Sequence, residues 1–375
     1  MIRFGIVGAG TIGRRYIDFF RQQRVAGARL AAICDVDPGA ALLTRDCGAR
    51  FFQDAGDLYA SGAVDAVMVT TPALFRASLV EGAIAHGLGV IADKPIGRHL
   101  LEAQRLAPSV AAHGRPVAVM FNQRTDPGFR RIRQLLESAA LGRIVRVNWY
   151  VSHYFRTDAY YRHTPWRGTW AGEGGGVLMN QCHHQLDILA WLFGLPTRVH
   201  AFARFGRRDG TDVEDSVVAH MDLADGGEAS FIASTREFPL RDRLEIVGTR
   251  GAVVKDYQSL EITSFSCDTD AFIAASTDPS SRVVPQACTV RETCVSKGGQ
   301  HLEVIQNFVD AWQDGRPLIA GWADGVDALH LANALLLSAL TGAEVALPLD
   351  GASYADAVGM RLRPLQPRQA SAGCA

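Results

Sequence analysis

Hydrophobic and polar positions divide the chain into two stretches with different rhythms. Up to about residue 122, short continuous apolar runs alternate with segments of helical period. Residues 2–7, 30–34, 66–70, 89–92 and 117–121 predict strands, and 11–25, 38–47, 73–87 and 99–112 predict helices. Unbroken apolar strands separated by helices indicate βαβ units around a parallel sheet buried on both faces. After a helix at 126–140 the rhythm changes to period two. Strands are expected at 143–150, 198–205, 216–223, 228–234, 243–247 and 260–265, with turns such as Asp225-Gly226-Gly227. Successive strands without crossover helices imply an antiparallel sheet, one face of which is left for water or a partner.

One long helix, 177–193, interrupts these strands, and two more, 301–314 and 324–341, follow them. Residues 267–298 carry no clear period and read as an excursion, and 365–375 as a flexible tail. The expected fold class is α/β. An N-terminal doubly wound parallel-sheet domain (1–122) precedes an α+β domain (123–364) with a mainly antiparallel sheet.

Composition narrows the function classes. The 38 basic and 39 acidic residues leave a formal charge of −1, so no global field favours nucleic acid or an anionic membrane. The apolar stretch 329–349 is interrupted by Asn333, Ser338, Thr341 and Glu344, too soon for a membrane span. The seven cysteines contain no C-x-x-C pair and fit no zinc pattern; a reducing cytoplasm is expected, and no metal.

Gly8-Ala9-Gly10-Thr11-Ile12-Gly13 lies between the first strand and the first helix, and Asp35 ends the next strand. Gly8 allows a tight turn, Gly10 lets backbone approach a pyrophosphate, and Gly13 lets helix pack on strand. The helix N-terminus offers free N–H groups and a positive dipole. Asp35 would accept from an adenosine ribose and repel a 2′-phosphate. NAD is therefore expected, with NADP a secondary possibility because Arg14 and Arg15 follow closely.

Only Lys94, Lys255 and Lys297 among the 38 basic residues are lysines. Lys94 lies just past the C-terminal edge of the 89–92 strand, where open parallel sheets bind ligands. A lysine there, in a chain that otherwise uses arginine, suggests a compact donor or an amine of adjustable pKa; the alternative is a chance loop cation. On the expected 177–193 helix, Asn180, His184, Asp187 and Trp191 share one face, either a solvated stripe or a site wall. A histidine beside polar groups suits accepting an alcohol proton. Between Trp149 and Trp170 lie eight aromatics, where about two would be expected at the chain average, among them Tyr154 and Trp166, interleaved with Arg156 and Arg167. That mixture suits a sugar ring, and equally an ordinary hydrophobic flap.

Together these residues resemble the Gfo/Idh/MocA oxidoreductase family. The likeness adds Thr70-Thr71-Pro72, Asp93-Lys94-Pro95 in place of the family's usual E-K-P, Phe121-Asn122-Gln123-Arg124, Trp166-Arg167-Gly168 and the glycine-rich lead into H-x-x-D at His184 and Asp187. It implies a Rossmann domain and a large open sheet through which copies associate as dimers or tetramers. It further implies Thr70, Thr71, Pro72, Asp93 and Asn122 at the cofactor, Lys94 as the active-site lysine and His184 as the catalytic histidine. Asn180 stands where inositol-dehydrogenase-like members often carry Asp, and orients rather than charges His184.

The function expected is NAD-dependent oxidation of a secondary hydroxyl on a pyranose, glycoside or cyclic polyol. Lys94, Tyr154, Arg156, Trp166, Arg167, Asn180 and His184 would contact the substrate. A glycosidase or lyase that returns its hydride, and a non-catalytic NAD sensor, are the alternatives.

Overall fold

A computed structural model describes residues 1–361 except 46, 278, 280–282 and 296–299. The expected tail at 365–375, and Lys297, lie outside the described residues. Strands β1 (Ile2–Val7), β2 (Ala28–Cys34), β3 (Arg50–Phe52), β4 (Ala66–Val69), β5 (Gly89–Ala92) and β6 (Val117–Val119) form an all-parallel sheet in the order β3-β2-β1-β4-β5-β6. Order reverses between β1 and β4, so a crevice opens at their C-terminal ends. Both faces are covered, which is why β4 and β5 are buried at every position and read as continuous apolar runs.

The second sheet has nine strands: β7 (Ile144–Val151), β8 (Arg198–Phe205), β9 (Glu214–Asp222), β10 (Glu228–Ser234), β11 (Asp242–Gly248), β12 (Gly251–Asp256), β13 (Ser259–Phe265), β14 (Ala287–Thr293) and β15 (Val345–Ala346). Their order is β14-β13-β12-β11-β7-β10-β9-β8-β15. All pairs are antiparallel except β7 with β10, which run parallel. One face packs on the His183–Phe193 and Trp322–Thr341 helices. The other carries the cross-strand row Phe202, Val218, Ile232, Tyr150, with Phe202 65% exposed.

Three expectations are corrected. The 177–193 helix is not continuous: Val177–Gln181 is a single π-helical turn, and an α-helix restarts at His183–Phe193 after Cys182. The cause is local. Glu214, fully buried on β9, accepts from Gly176 N at 2.8 Å and Leu178 N at 3.0 Å, drawing the turn onto the sheet. Next, residues 267–298 contain a helix, Thr269–Ala275, and the edge strand β14, which is exposed on both faces and so carries no apolar alternation. Finally, β3 and β12 are not among the expected strands: β3 has three residues, too few for a period, whereas β12 alternates buried and half-buried positions and is overlooked.

The Gln300–Asp314 helix returns to the first sheet. Val304, Ile305, Phe308 and Val309 pack with Ile2, Phe4, Ile6 and Tyr16 in one cluster, with the Phe4 and Phe308 rings 5.6 Å apart. Ala320 O then accepts from Val119 N at 3.0 Å along β6.

Candidate active site

The turn after β1 has the shape that dinucleotide binding requires. Gly8 adopts φ +97°, and a Cβ on Gly13 would lie 2.1 Å from the Gly8 carbonyl oxygen, so only glycine lets the Thr11–Arg21 helix sit this close. A Cβ on Gly10 would meet nothing within 4 Å. The helix has no side-chain cap and no acid in its first turn, so the N–H groups around Thr11 and Ile12 face open space as donors for an anion. Asp35 Oδ2 accepts from Ala9 N at 2.6 Å and Oδ1 from Asp37 N at 2.9 Å, which holds the carboxylate at the crevice beside the turn. Arg14 is tied back, its Nε donating to Ala9 O at 3.1 Å. An uncapped helix start, an open cradle at Gly10 and an acid at the end of β2 fit a pyrophosphate and its ribose.

The other cofactor candidates cluster at the same sheet edge, several of them as braces. The Thr70 hydroxyl donates to the carbonyls of Val7 and Gly8. Thr71 and Pro72 lead into the Ala73–Ala85 helix, whose buried Arg76 donates to Thr71 O and Pro95 O and pins the two turns together. Asp93 Oδ1 accepts from Lys94 N at 2.8 Å. Asn122, buried after β6, donates to Gln300 Oε1 at 2.8 Å.

Lys94 extends from this edge toward the second half of the chain. Its Nζ donates to the Asn180 carbonyl at 2.6 Å, in the π-helical turn. Burial lowers its amine from the ordinary lysine value, and the neighbouring Asp93 opposes that shift. Just beyond, His184 is held neutral: burial pushes it well below the ordinary histidine value, and the Lys94 charge adds to the effect. His184 Nδ1 is buried without a hydrogen-bond partner. Its ring stands edge-on to Phe121 at 6.1 Å. His183, fully buried, is lowered to about 3 by the same causes.

The Asn180 side chain faces a different group. Its Nδ2 donates to Glu173 Oε1 and lies 3.4 Å from the Tyr160 hydroxyl. Glu173 also accepts from Gly168 N at 2.6 Å, and burial pushes its carboxyl up to about 7. Arg167 donates to the Tyr160 hydroxyl and lies over the Trp166 ring, 4.7 Å from its centroid. The Tyr154 hydroxyl accepts from Gln123 at 3.3 Å and Gln185 at 3.4 Å. Arg156 lies over the Tyr154 and Tyr160 rings, at 5.8 and 4.9 Å.

The polar stripe and the aromatic platform are both corrected in part. Asp187 is engaged elsewhere: fully buried, it accepts from Arg124 Nη2 at 2.6 Å and Arg124 Nε at 3.0 Å, and the break at Cys182 shifts Asn180 in phase against the helix that carries His184 and Asp187. Arg124 bonds Asp324 as well, at 2.8 Å. Trp191 packs over Arg124 and Arg133. Among the eight aromatics, Trp149 and Trp170 belong to the core and Tyr150 bonds Glu237 on the sheet's outer side. The parts played by Glu173, Arg124, Arg76 and Glu214 escape a reading of the sequence; only a lone acid next to three glycines hints at Glu173. Among the described residues, no three His, Cys, Asp or Glu side chains group to hold a metal ion. None of the described helices is long and apolar enough to cross a membrane.

A Rossmann sheet with an open phosphate cradle, joined to a half whose π-helical turn accepts a hydrogen bond from Lys94 just before the helix that carries His184, defines a two-domain nicotinamide-dependent oxidoreductase. Residues 2–121 match the oxidoreductase family with an NAD-binding Rossmann fold, and residues 129–254 match the GFO/IDH/MocA C-terminal domain. The chain belongs to the GFO/IDH/MocA family, and its cofactor is NAD. It is 26% identical over 258 residues to the rhizopine catabolism protein MocA of Rhizobium meliloti, covering 66% of this chain and 76% of that one. To the inositol 2-dehydrogenase of Rhizobium meliloti strain 1021 it is 25% identical over 351 residues, 90% and 96% of the two chains. Its fold superimposes on the WlbA dehydrogenase of Bordetella pertussis, solved with NADH and UDP-GlcNAcA, with a TM-score of 0.77, 25% identity and coverage of 93% and 99%.

Proposed function

We propose that this protein oxidises a secondary hydroxyl of a pyranose, glycoside or cyclic polyol, with NAD as acceptor. The observation that carries the reading is the hydrogen bond from Lys94, at the end of β5, to the Asn180 carbonyl in the turn that leads into the helix of His184. Inositol 2-dehydrogenase among the relatives supports the substrate class. When bound, NAD supplies a nicotinamide ring that takes up hydride. His184, neutral near physiological pH, accepts the proton of the reacting hydroxyl. Lys94 donates a hydrogen bond to the same oxygen and stabilises the negative charge that develops on it. Asn180, fixed by Glu173, holds Lys94 through its backbone carbonyl. Tyr154, Trp166 and Arg167 line the approach, and Asn122, Thr71 and Asp93 shape the nicotinamide end. Copies associate through the outer face of the nine-stranded sheet, where the Phe202–Val218–Ile232 row supplies apolar surface.

The test is a panel of inositols, hexoses, anhydro-sugars and glycosides, read by NADH absorbance. Net NADH formation is expected; a glycosidase that returns its hydride would show none. Lys94→Ala and His184→Ala are each expected to lower kcat by at least about 10² while NAD affinity is nearly kept. Near-native turnover in either variant contradicts the acid–base roles of this pair.

A further inference from the structure

A cavity of about 300 Å³ lies against the aromatic segment, lined by Phe155, Arg156, Thr157, Asp158, Arg208 and Arg236. Arg156 connects it to the active site. Its guanidinium lies over the ring of Tyr160, whose hydroxyl is 3.4 Å from Asn180 Nδ2, and Asn180 in turn holds Lys94.

The charges around the cavity do not balance. Arg207, Arg208 and Arg236 all gather on one buried carboxylate, Asp215: Arg207 in direct contact, Arg236 at 3.5 Å and Arg208 at 3.9 Å. Asp158 takes a second bond from Arg208 at 2.7 Å. Among the described residues Arg156 forms no ion pair. Its Nη1 reaches only the Phe155 carbonyl at 3.1 Å, and its Nε is buried without an acceptor. Three guanidinium groups thus share two carboxylates, and the fourth, Arg156, has none among the described residues. A buried N–H without an acceptor is costly, and a planar guanidinium is best satisfied by two oxygens of one carboxylate or phosphate. A neutral sugar hydroxyl supplies only one oxygen and no charge.

We propose that the carbohydrate oxidised by this protein is acidic, and that its carboxylate or phosphate group is seated in this cavity on Arg156 and Arg236. The proposal rests on the dehydrogenase reading for the position of the reacting carbon. The anion pins one end of the sugar ring while the aromatic side chains carry the ring toward Lys94 and His184.

The experiment compares neutral pyranoses with their uronates and 6-phosphates as substrates of the full chain with NAD. Calorimetric binding of glucuronate and glucose 6-phosphate to the NAD-saturated protein runs in parallel. At least one acidic series is expected to exceed the neutral one about 10- to 100-fold in kcat/KM. The uronate and phosphate arms show which anion is used. Arg156→Gln is expected to bring the ratio toward one and Arg236→Gln to reduce it. Arg156→Lys, which keeps the charge but not the fork, falls between. Thermal unfolding of each variant checks that it folds. Neutral sugars turned over as well as acidic ones, or an acid preference that survives both glutamine substitutions, overturns the proposal and leaves the dehydrogenase reading standing. Acid binding that is lost in Arg156→Gln, with no NADH formed from any sugar, supports the cavity and counts against that reading. Neither binding nor turnover of any sugar overturns both.

Discussion

Replacing Arg124 by Met tests how the helix that carries His184 is held. Asp187 is fully buried, and among the described residues its hydrogen-bond donors all come from Arg124: Nε at 3.0 and 3.1 Å to its two oxygens, and Nη2 at 2.6 Å. Met fills similar volume but leaves the carboxylate without a partner, a loss of about 3–5 kcal/mol. The Asp324 contact adds little, since that side chain is 34% exposed and can turn to water. Spread over a chain of this size, the loss corresponds to a fall of about 4–6 °C in Tm.

The deficit also depends on pH. With Arg124 present, burial already pushes the Asp187 carboxyl up to about 7, and without it the value rises further. A carboxyl that binds its proton more tightly folded than unfolded loses stability as pH rises, until the folded-state pKa is passed. The native protein passes that point near 7 and the variant later, so the deficit widens between about pH 7 and pH 9. Urea unfolding followed by tryptophan fluorescence at about pH 6 and about pH 9 measures it. Restoring an apolar pair with Asp187→Leu in the same chain is expected to recover most of the loss. A deficit below about 1 kcal/mol at both pH values, or no recovery in the double variant, refutes the argument.

Two further outcomes follow from the glycine turn and the buried acids. Gly13→Ala drives a Cβ into the Gly8 carbonyl and is expected to lower both Tm and NADH affinity, whereas Gly10→Ala meets no protein atom and lowers affinity alone, by roughly tenfold or more; NADH fluorescence titration separates them. Glu214 is pushed up to about 7 by burial, so its contribution is greatest below its ordinary value near 4.5 and is lost as pH rises through about 7. Glu214→Gln is expected to flatten the fall of Tm across that window, and an unchanged slope would exclude Glu214 as its source.

The nucleotide half was legible because its signals are local. Gly8, Gly10, Gly13 and Asp35 sit within one βαβ unit, and strands buried on both faces have nowhere to place a polar residue. Lys94 stood out by composition, against a chain that otherwise uses arginine. What escaped is what depends on distant partners. The apolar period continues through Cys182, so nothing in the 177–193 stretch announces that Glu214 will unwind its first turn. Arg124 and Asp187 lie 63 positions apart, and nothing in the sequence pairs the one with the other. Glu173 and Asn180 are near neighbours, but only the fold turns one onto the other. β14 has no buried face, so no pattern marks it.

The Gln300–Asp314 helix, which closes the outer side of the nucleotide sheet, sets the order in which the chain can mature. During synthesis the surface around Phe4, Ile6 and Tyr16 must wait, uncovered, until some 180 more residues have left the ribosome. A fragment ending after β6 would keep the whole phosphate cradle yet lack the wall behind it. Severed pieces would need each other to stay in solution, and the nucleotide half is therefore not a detachable module.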